Sequence, residues 1–305
     1  MSLQLPKRAR RIGAWTAVSV GLLLLGACSS EDQDQIRRLA MPEHATDRAP
    51  MIQDLWNGSW LAAIITGVIV WGLIIYASFR FRRRSDDEIP VQTRYNLPIE
   101  ILYTVAPVIM VLVLFFFTVQ TQNDVLATSA ETGGEPDHTV QVVGQQWSWS
   151  FNYTNEDSLG SDDATNDVFV VGTTAEPPTL MLPVDETVEV VLNSPDVVHS
   201  FWVPAFLMKM DVVPGRENSF EFTPTREGTY VGRCAELCGV YHSRMLFNLE
   251  VVSADEYDQY LQGLKDKGDV GTVLGGENAD TQVGLDDEQN EQVQDDDTTG
   301  QGDAE

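Results

Sequence analysis

The chain has 305 residues, of which 46 are acidic and 19 basic, so its formal net charge is −27. This charge excludes a nucleic-acid-binding protein, because phosphate backbones are neutralised by Lys and Arg. Three cysteines are too few for a disulfide-stapled scaffold. Basic residues crowd the N-terminal third and acidic residues the end, which indicates a membrane-proximal half and a solvated tail.

Residues 1–27 have the pattern of an export signal, with a basic start followed by an apolar run over residues 12–25. The run ends in LGACSS, which resembles a bacterial lipoprotein box in which Cys28 is lipidated and becomes the new N-terminus. The alternative is an uncleaved signal anchor with an incidental cysteine. Residues 28–54 are polar and lack an apolar period, so they are predicted to form an external linker.

Two apolar runs follow, over residues 56–79 and 99–119, and each is long enough to cross a bilayer, which takes about 20 residues. Four arginines within residues 80–84 place the connection between the runs in the cytoplasm. Residues 55–120 are therefore predicted as a two-helix hairpin in the cell membrane, with both outer ends extracytoplasmic. Glu100, at the cytoplasmic start of the second run, is either a solvated acid or a point where protons enter.

After a polar linker over residues 121–137, residues 138–252 contain many short alternating or β-branched runs separated by Gly, Pro and Asn. This pattern predicts an antiparallel β sandwich or barrel. A capping box at Ser253 and Glu256 predicts a short helix over residues 253–267. Residues 268–305 have no basic and few apolar residues, so they are predicted to be a disordered acidic tail.

The stretch CAELCGVYHSRM, residues 234–245, contains Cys234, Cys238, His242 and Met245 in close spacing. Thiolate, imidazole and thioether form the soft ligand set that selects copper over calcium or magnesium. His199 is the candidate for a further ligand from elsewhere in the chain. A closed zinc site of two Cys and two His, or a disulfide in an exported domain, are the alternatives. The thioether favours copper, since a closed zinc site does not need it.

These residues resemble the copper-binding region of the cytochrome c oxidase subunit II family. The similarity includes the spacing C-x3-C-x3-H-x2-M, the motif DVVHSFWVP around His199, the segment MKMDVVPGR and the aromatic run GQQWSWSFNY. It also includes the membrane hairpin, so it extends over about residues 50–265. The resemblance implies a membrane-anchored all-β protein, with the two-helix hairpin followed by a cupredoxin-like sandwich or barrel.

The resemblance further implies a dinuclear copper centre, CuA. Two thiolates would bridge the coppers, and the remaining ligands would each bind one metal. The implied ligands are His199, Cys234, the backbone carbonyl of Glu236, Cys238, His242 and Met245. The carboxylate of Glu236 would also reach a magnesium or manganese ion shared with oxidase subunit I.

By the same resemblance, the chain accepts electrons from a c-type cytochrome and passes them to haem in subunit I. There, O2 would be reduced to water with proton pumping. Electrons would enter at Trp147, Asp196 would lie on the docking face, and Glu100 would form the mouth of a proton channel. In an actinobacterial oxidase, the donor would be a diffusing cytochrome or part of a supercomplex with other oxidase and cytochrome subunits.

Three alternatives keep part of this pattern. A quinol oxidase subunit without copper would have no need for the intact ligand set. In a membrane-anchored copper carrier, the hairpin, Glu100 and Trp147 would have no purpose. A nitrous oxide reductase would require a histidine-rich catalytic domain, whereas this chain has four histidines.

Overall fold

The computed structural model describes residues 30–85, 88–89, 91–160 and 166–275. The predicted signal peptide, Cys28 and residues 276–305 lie outside the described residues. Helix α1, Ser30–Arg37, belongs to a compact unit that ends at Glu43, so part of the predicted linker is helical. A second unit begins at His44 and contains all the elements described below.

Two long apolar helices follow, α2 over Ala49–Arg80 and α3 over Leu97–Val125. At about 1.5 Å per residue they are about 48 and 44 Å long, which exceeds the hydrocarbon thickness of a bilayer. Most of their large apolar side chains are exposed within this chain. Such surfaces need lipid or protein cover, as the predicted hairpin requires.

The outer ends of the hairpin are tied to the β domain. Arg48, before α2, donates hydrogen bonds to the carbonyl oxygens of Asp124 (2.9 Å) and Ala127 (3.0 Å) at the end of α3. Ala45 donates its backbone N–H to Ala205 and accepts one from Thr225. Residues 44–48, predicted as linker, are therefore bonded to the β domain. The start of α2 and the end of α3 both lie beside that domain.

The β domain is a sandwich of two five-stranded sheets, ordered β3-β2-β1-β5-β8 and β4-β10-β9-β6-β7. The strands are β1 His138–Gln145, β2 Ser148–Thr154, β3 Val168–Val171, β4 Thr179–Pro183, β5 Val188–Asn193, β6 His199–Val203, β7 Met208–Val212, β8 Asn218–Phe222, β9 Gly228–Cys234 and β10 Leu246–Val252. The pairs β1/β5 and β4/β10 are parallel, and the other pairs are antiparallel. The sandwich confirms the predicted fold class.

The alternation of apolar and polar residues in the sequence did not predict β6 or β7. Strand β6 begins with the predicted ligand His199.

The core lies between the two sheets, and alternate side chains of each strand fill it. In β5, the side chains of Val188, Val190 and Leu192 are fully buried, while the intervening residues are partly exposed. From the other sheet, Phe201 stacks on Phe247 with ring centroids 4.9 Å apart. Because strand side chains alternate between faces, this period of two builds a rigid framework beneath the loops.

Helix α4, Ala254–Lys267, begins at the predicted capping box, in which Ser253 Oγ accepts from Glu256 N at 3.4 Å. Residues 268–275, assigned from sequence to the disordered tail, instead return to the sandwich. Phe169 N donates to Asp269 O at 3.0 Å, and the fully buried Asn152 makes reciprocal side-chain bonds with the backbone of Val273. We call residues 269–275 the strap. It covers β2, whose side chains from Ser148 to Tyr153 are all buried.

Candidate metal centre

Three elements of one sheet bring the predicted soft ligands together. His199 is the first residue of β6, Cys234 is the last of β9, and the others lie in the loop that leads to β10. A ring nitrogen of His199 and the sulfurs of Cys234 and Cys238 all lie within 4.8 Å of one another, and all three residues are buried. Residues far apart in sequence therefore face one point.

Each cysteine has its own neighbours. Cys234 Sγ lies 3.9 Å from His199 Nδ1 and 3.1 Å from the carbonyl oxygen of Glu236. Cys238 Sγ lies 3.6 Å from His242 Nδ1 and 3.7 Å from Met245 Sδ.

The two sulfurs are 3.8 Å apart and both thiols are free. A disulfide bond is about 2.05 Å long, so Cys234 and Cys238 do not form the alternative disulfide in this structure.

Backbone hydrogen bonds hold the loop in this shape. Cys234 N donates to Met245 O at 3.0 Å, which closes the base of the loop. Ala235 N donates to Ser200 O at 3.0 Å and ties the loop to β6. Gly239 has a φ of +128°, and a Cβ built there would lie 2.9 Å from Trp147 Nε1. Only glycine fits this conformation and this close approach.

The two thiols do not titrate independently. The hydrogen bond with Cys238 is the main reason that the pKa of Cys234 lies far below its ordinary value, and the bond with His199 adds to it against the effect of burial. The pKa of Cys238 is raised by its bond with Cys234 and by burial. One of the two is therefore the preferred thiolate, and a cation between them would stabilise both as thiolates.

Asp196 orients His199. Its Oδ1 lies 2.9 Å from His199 Nε2, so a proton on Nε2 leaves Nδ1 free to face Cys234. Asp196 also accepts backbone N–H bonds from Gln146 (2.7 Å) and Val197 (2.6 Å). Burial would raise the pKa of Asp196, but the bonds from His199 and the backbone lower it. Burial would likewise lower the pKa of His199, but Asp196 raises it. The carboxylate predicted for docking therefore accepts bonds from within the chain, while 24% of its side chain remains exposed.

We call residues 235–245, between β9 and β10, the metal loop. Trp147, in the turn between β1 and β2, is partly buried against this loop. Its Nε1 donates to the carbonyl of Cys238 at 3.3 Å. Sequence reasoning missed two neighbours, Gln146 and Tyr241. Gln146 Nε2 donates to the same carbonyl at 2.6 Å, and the ring of Tyr241 packs edge-on to Trp147 at 5.1 Å. These contacts join separate loops, so no local pattern points to them, although Gly239 beside Cys238 is a signal of close approach.

The side chains of the other two predicted acids, Glu100 and Glu236, are not among the groups that contact the sulfurs in the described residues. Glu100 is in the first turn of α3, where its carboxylate accepts the backbone N–H of Asn96 at 2.8 Å. The side chain of Glu236 is exposed, while its carbonyl faces Cys234. The structure therefore brings together the six predicted donors and Trp147 but not Glu100.

The donor set fits copper. Two sulfurs, two imidazole nitrogens, a thioether and a carbonyl converge, which exceeds the four ligands of a closed tetrahedral zinc site. The fully buried thioether of Met245 adjoins Cys238, as expected for a weak, soft copper ligand.

The known proteins that this chain resembles are subunits of one kind of oxidase. Residues 138–252 match the family model for cytochrome c oxidase subunit II, periplasmic domain, and residues 35–121 match the model for its transmembrane domain. A probable cytochrome c oxidase subunit 2 from Streptomyces avermitilis is 48% identical, covering 89% of this chain and 92% of the relative. The subunit from Corynebacterium glutamicum is 37% identical, covering 73% of this chain and 75% of the relative.

Among solved structures, the periplasmic domain of cytochrome oxidase subunit II from Bradyrhizobium japonicum is similar, with 29% identity and a TM-score of 0.37. It covers 44% of this chain and 96% of that domain. The two family matches together span most of the chain, and both relatives are more than 30% identical over more than two thirds of it. This chain therefore belongs to the cytochrome c oxidase subunit II family, as a membrane-anchored subunit of a haem-copper oxidase with a periplasmic cupredoxin-like domain.

Proposed function

We propose that this chain is the subunit through which electrons enter a proton-pumping terminal oxidase. It accepts electrons from a c-type cytochrome at a dinuclear copper centre and delivers them towards haem in subunit I, where O2 is reduced to water. The observation that carries the proposal is the convergence of four donors, two imidazole nitrogens, a thioether and a carbonyl oxygen, around the sulfur pair of Cys234 and Cys238.

The donors divide into two sets around the shared sulfurs. His199 and the Glu236 carbonyl lie beside Cys234, and His242 and Met245 lie beside Cys238. The dinuclear copper would supply one-electron transfer with the charge shared between the metals. His199 and Met245 are fully buried, and Asp196 orients the imidazole, so the protein holds its donors in one arrangement.

Trp147 gives electrons a route from the surface. It is partly exposed, and its indole N–H contacts the carbonyl of the ligand Cys238. An electron arriving at the ring is then one hydrogen bond from the backbone of a ligand residue. The side chain of Gln146 donates to the same carbonyl and so helps to hold the turn of Trp147 against the metal loop.

The remaining family roles belong to the same proposal. The exposed carboxylate of Glu236 would bind magnesium or manganese shared with subunit I, and Glu100 would lie at the mouth of a proton channel. Cys28 would be lipidated and add a second attachment to the cell membrane beside the hairpin. Asp196 contributes by positioning His199, since its oxygens already accept internal bonds.

Metal analysis and spin resonance of the purified oxidase test this function. The wild-type complex should hold two coppers in this chain and give a mixed-valence signal shared between them. Cys234→Ser should abolish both the signal and cytochrome-driven turnover, while Ser243→Ala, an exposed residue of the same loop, should change neither.

A single copper or a zinc ion per chain would refute the dinuclear assignment. Two coppers that no donor can reduce would support the copper carrier instead.

A further inference from the structure

Trp149, the second tryptophan of the aromatic run, lies in the core of the sandwich and is fully buried. A buried indole N–H needs an acceptor, and Nε1 of Trp149 donates to the carbonyl oxygen of Met245 at 3.4 Å. The same oxygen accepts the backbone N–H of Cys234 at 3.0 Å. Trp149 therefore bonds to the carbonyl that closes the base of the metal loop.

The ring of Trp149 also lies beside His199. Their ring centroids are 6.2 Å apart, and the ring planes are inclined by 61°. This contact depends on Gly144, the partner of Trp149 in β1, because glycine has no side chain. A Cβ at Gly144 would lie 3.0 Å from Cζ3 of Trp149 and 3.4 Å from Cβ and Cδ2 of His199. The glycine thus leaves the space in which the indole and the imidazole meet.

Neighbouring aromatic rings fix the indole in place. Phe201 lies two residues after His199, and Phe247 lies two residues after Met245. Their ring centroids are 6.0 and 5.5 Å from that of Trp149, and both meet it edge-on. Because the two phenyl rings also stack on each other and are buried, the packed core leaves the indole little freedom to change its rotamer.

We propose that Trp149 is a positioning residue that couples the two halves of the copper centre. His199 lies beside Cys234, and Met245 lies beside Cys238, so the indole contacts one ligand residue of each half. The inference rests on the proposed function and specifies what holds these two ligands at matched strength. Residues that orient metal ligands in this way tune the reduction potential of the centre.

Loss of the indole would loosen both ligands. Without the bond to the Met245 carbonyl, the thioether can move away from Cys238, and without the ring edge the imidazole of His199 can turn. Donor atoms stabilise the more positive oxidised centre more than the reduced centre, so weaker donation raises the reduction potential. Unequal donation also draws the unpaired electron towards one of the two coppers.

The test compares purified wild-type oxidase with complexes that carry Trp149→Phe, Gly144→Ala or Phe151→Leu. Trp149→Phe removes the indole N–H but keeps an aromatic ring, and Gly144→Ala disturbs the contact between the indole and His199 from the other side. Phe151→Leu is the matched control, because Phe151 is equally buried on β2 and its described ring contact is with Phe247. Copper content, reduction potential and the spin-resonance spectrum are measured for each complex.

We expect Trp149→Phe to retain both coppers and to have a higher reduction potential than wild type. Its hyperfine pattern should change from that of two equivalent coppers towards that of one, and it should bind copper about tenfold more weakly in competition with a chelator. Gly144→Ala should change the hyperfine pattern in the same sense. Phe151→Leu should match wild type in potential and hyperfine pattern, although it lowers the stability of the core.

A wild-type potential and hyperfine pattern in Trp149→Phe would overturn the proposal. Equal changes in Phe151→Leu would also overturn it, because they would show a general effect of a loosened core. If Trp149→Phe does not assemble, an unchanged hyperfine pattern in Gly144→Ala overturns the proposal instead. A wild-type complex that lacks the mixed-valence signal refutes the proposed function, so the two failures are distinguishable.

Discussion

His138, at the start of β1, lies between two carboxylates, and its replacement by Gln tests a buried charge cluster. Its Nδ1 is 2.8 Å from Glu156 Oε2, and its Nε2 is 2.6 Å from Glu186 Oε2. Because both ring nitrogens face acceptors, the imidazole is doubly protonated and donates to both. Tyr257 of α4 donates its hydroxyl to Glu156 Oε1 at 2.9 Å. The cluster therefore connects β1, two turns and the C-terminal helix.

The contribution of this cluster to the free energy of unfolding follows from the pKa of His138. Burial alone would lower it, but the hydrogen bonds and charges of Glu156 and Glu186 outweigh burial and raise the pKa to about 9 from the ordinary 6.5. The Glu156 side chain is 2% exposed, so solvent screens its pair with His138 only weakly, whereas Glu186 is 37% exposed and its pair is screened more, which reduces the energy expected from the full pKa shift. At about 1.4 kcal/mol per pKa unit, the cluster contributes on the order of 3 kcal/mol to the free energy of unfolding.

The sign of the pH dependence follows from the same pKa shift. Below pH 6.5 the imidazole is protonated in both the folded and the unfolded chain, so the whole contribution is present. Between pH 6.5 and about 9 the folded chain binds a proton that the unfolded chain has lost, so the contribution falls as pH rises. Above about pH 9 it is gone.

Hydrogen exchange of the α4 amides in the purified oxidase measures this effect. At pH 6, His138→Gln should exchange on the order of 100-fold faster than wild type, and at pH 9.5 the two should nearly coincide. Comparison at equal pH removes the intrinsic pH dependence of exchange. His44→Gln, outside the cluster, serves as the control. A difference between wild type and His138→Gln that is the same at both pH values would refute the reasoning.

Three further changes test other parts of the molecule. Trp147→Ala should slow electron transfer from the donor at least tenfold with copper content unchanged, measured by stopped-flow reduction; loss of copper would show a structural role instead. Glu100→Ala should slow proton-coupled turnover while copper reduction stays normal, and unimpaired turnover would contradict the channel role. Asn152→Ala removes two hydrogen bonds to Val273, which should lower the free energy that holds the strap on β2 by about 1–3 kcal/mol. Protease should therefore cleave residues 269–275 faster, and unchanged cleavage would mean that other contacts hold the strap.

Local patterns in the sequence determine the membrane hairpin, the metal loop and the start of α4. The apolar runs and the arginines after the first run predicted the hairpin, because the length of an apolar run decides whether it can span a bilayer and flanking arginines decide its orientation. The spacing from Cys234 to Met245 predicted the metal loop, since these donors lie within one short segment. The capping box at Ser253 and Glu256 likewise predicted the start of α4, because its two bonds are made within four residues.

Only the tertiary structure decided which distant groups meet. Strand pairing places His199 beside Cys234, and the Asp196 carboxylate faces inward because the β1–β2 turn and His199 supply its donors. Residues 269–275, DVGTVLG, form no helix or named strand and have no apolar period, yet they return to the sandwich because a buried amide on β2, Asn152, binds their backbone. Such contacts depend on surfaces created by folding, and no window of the sequence contains both partners.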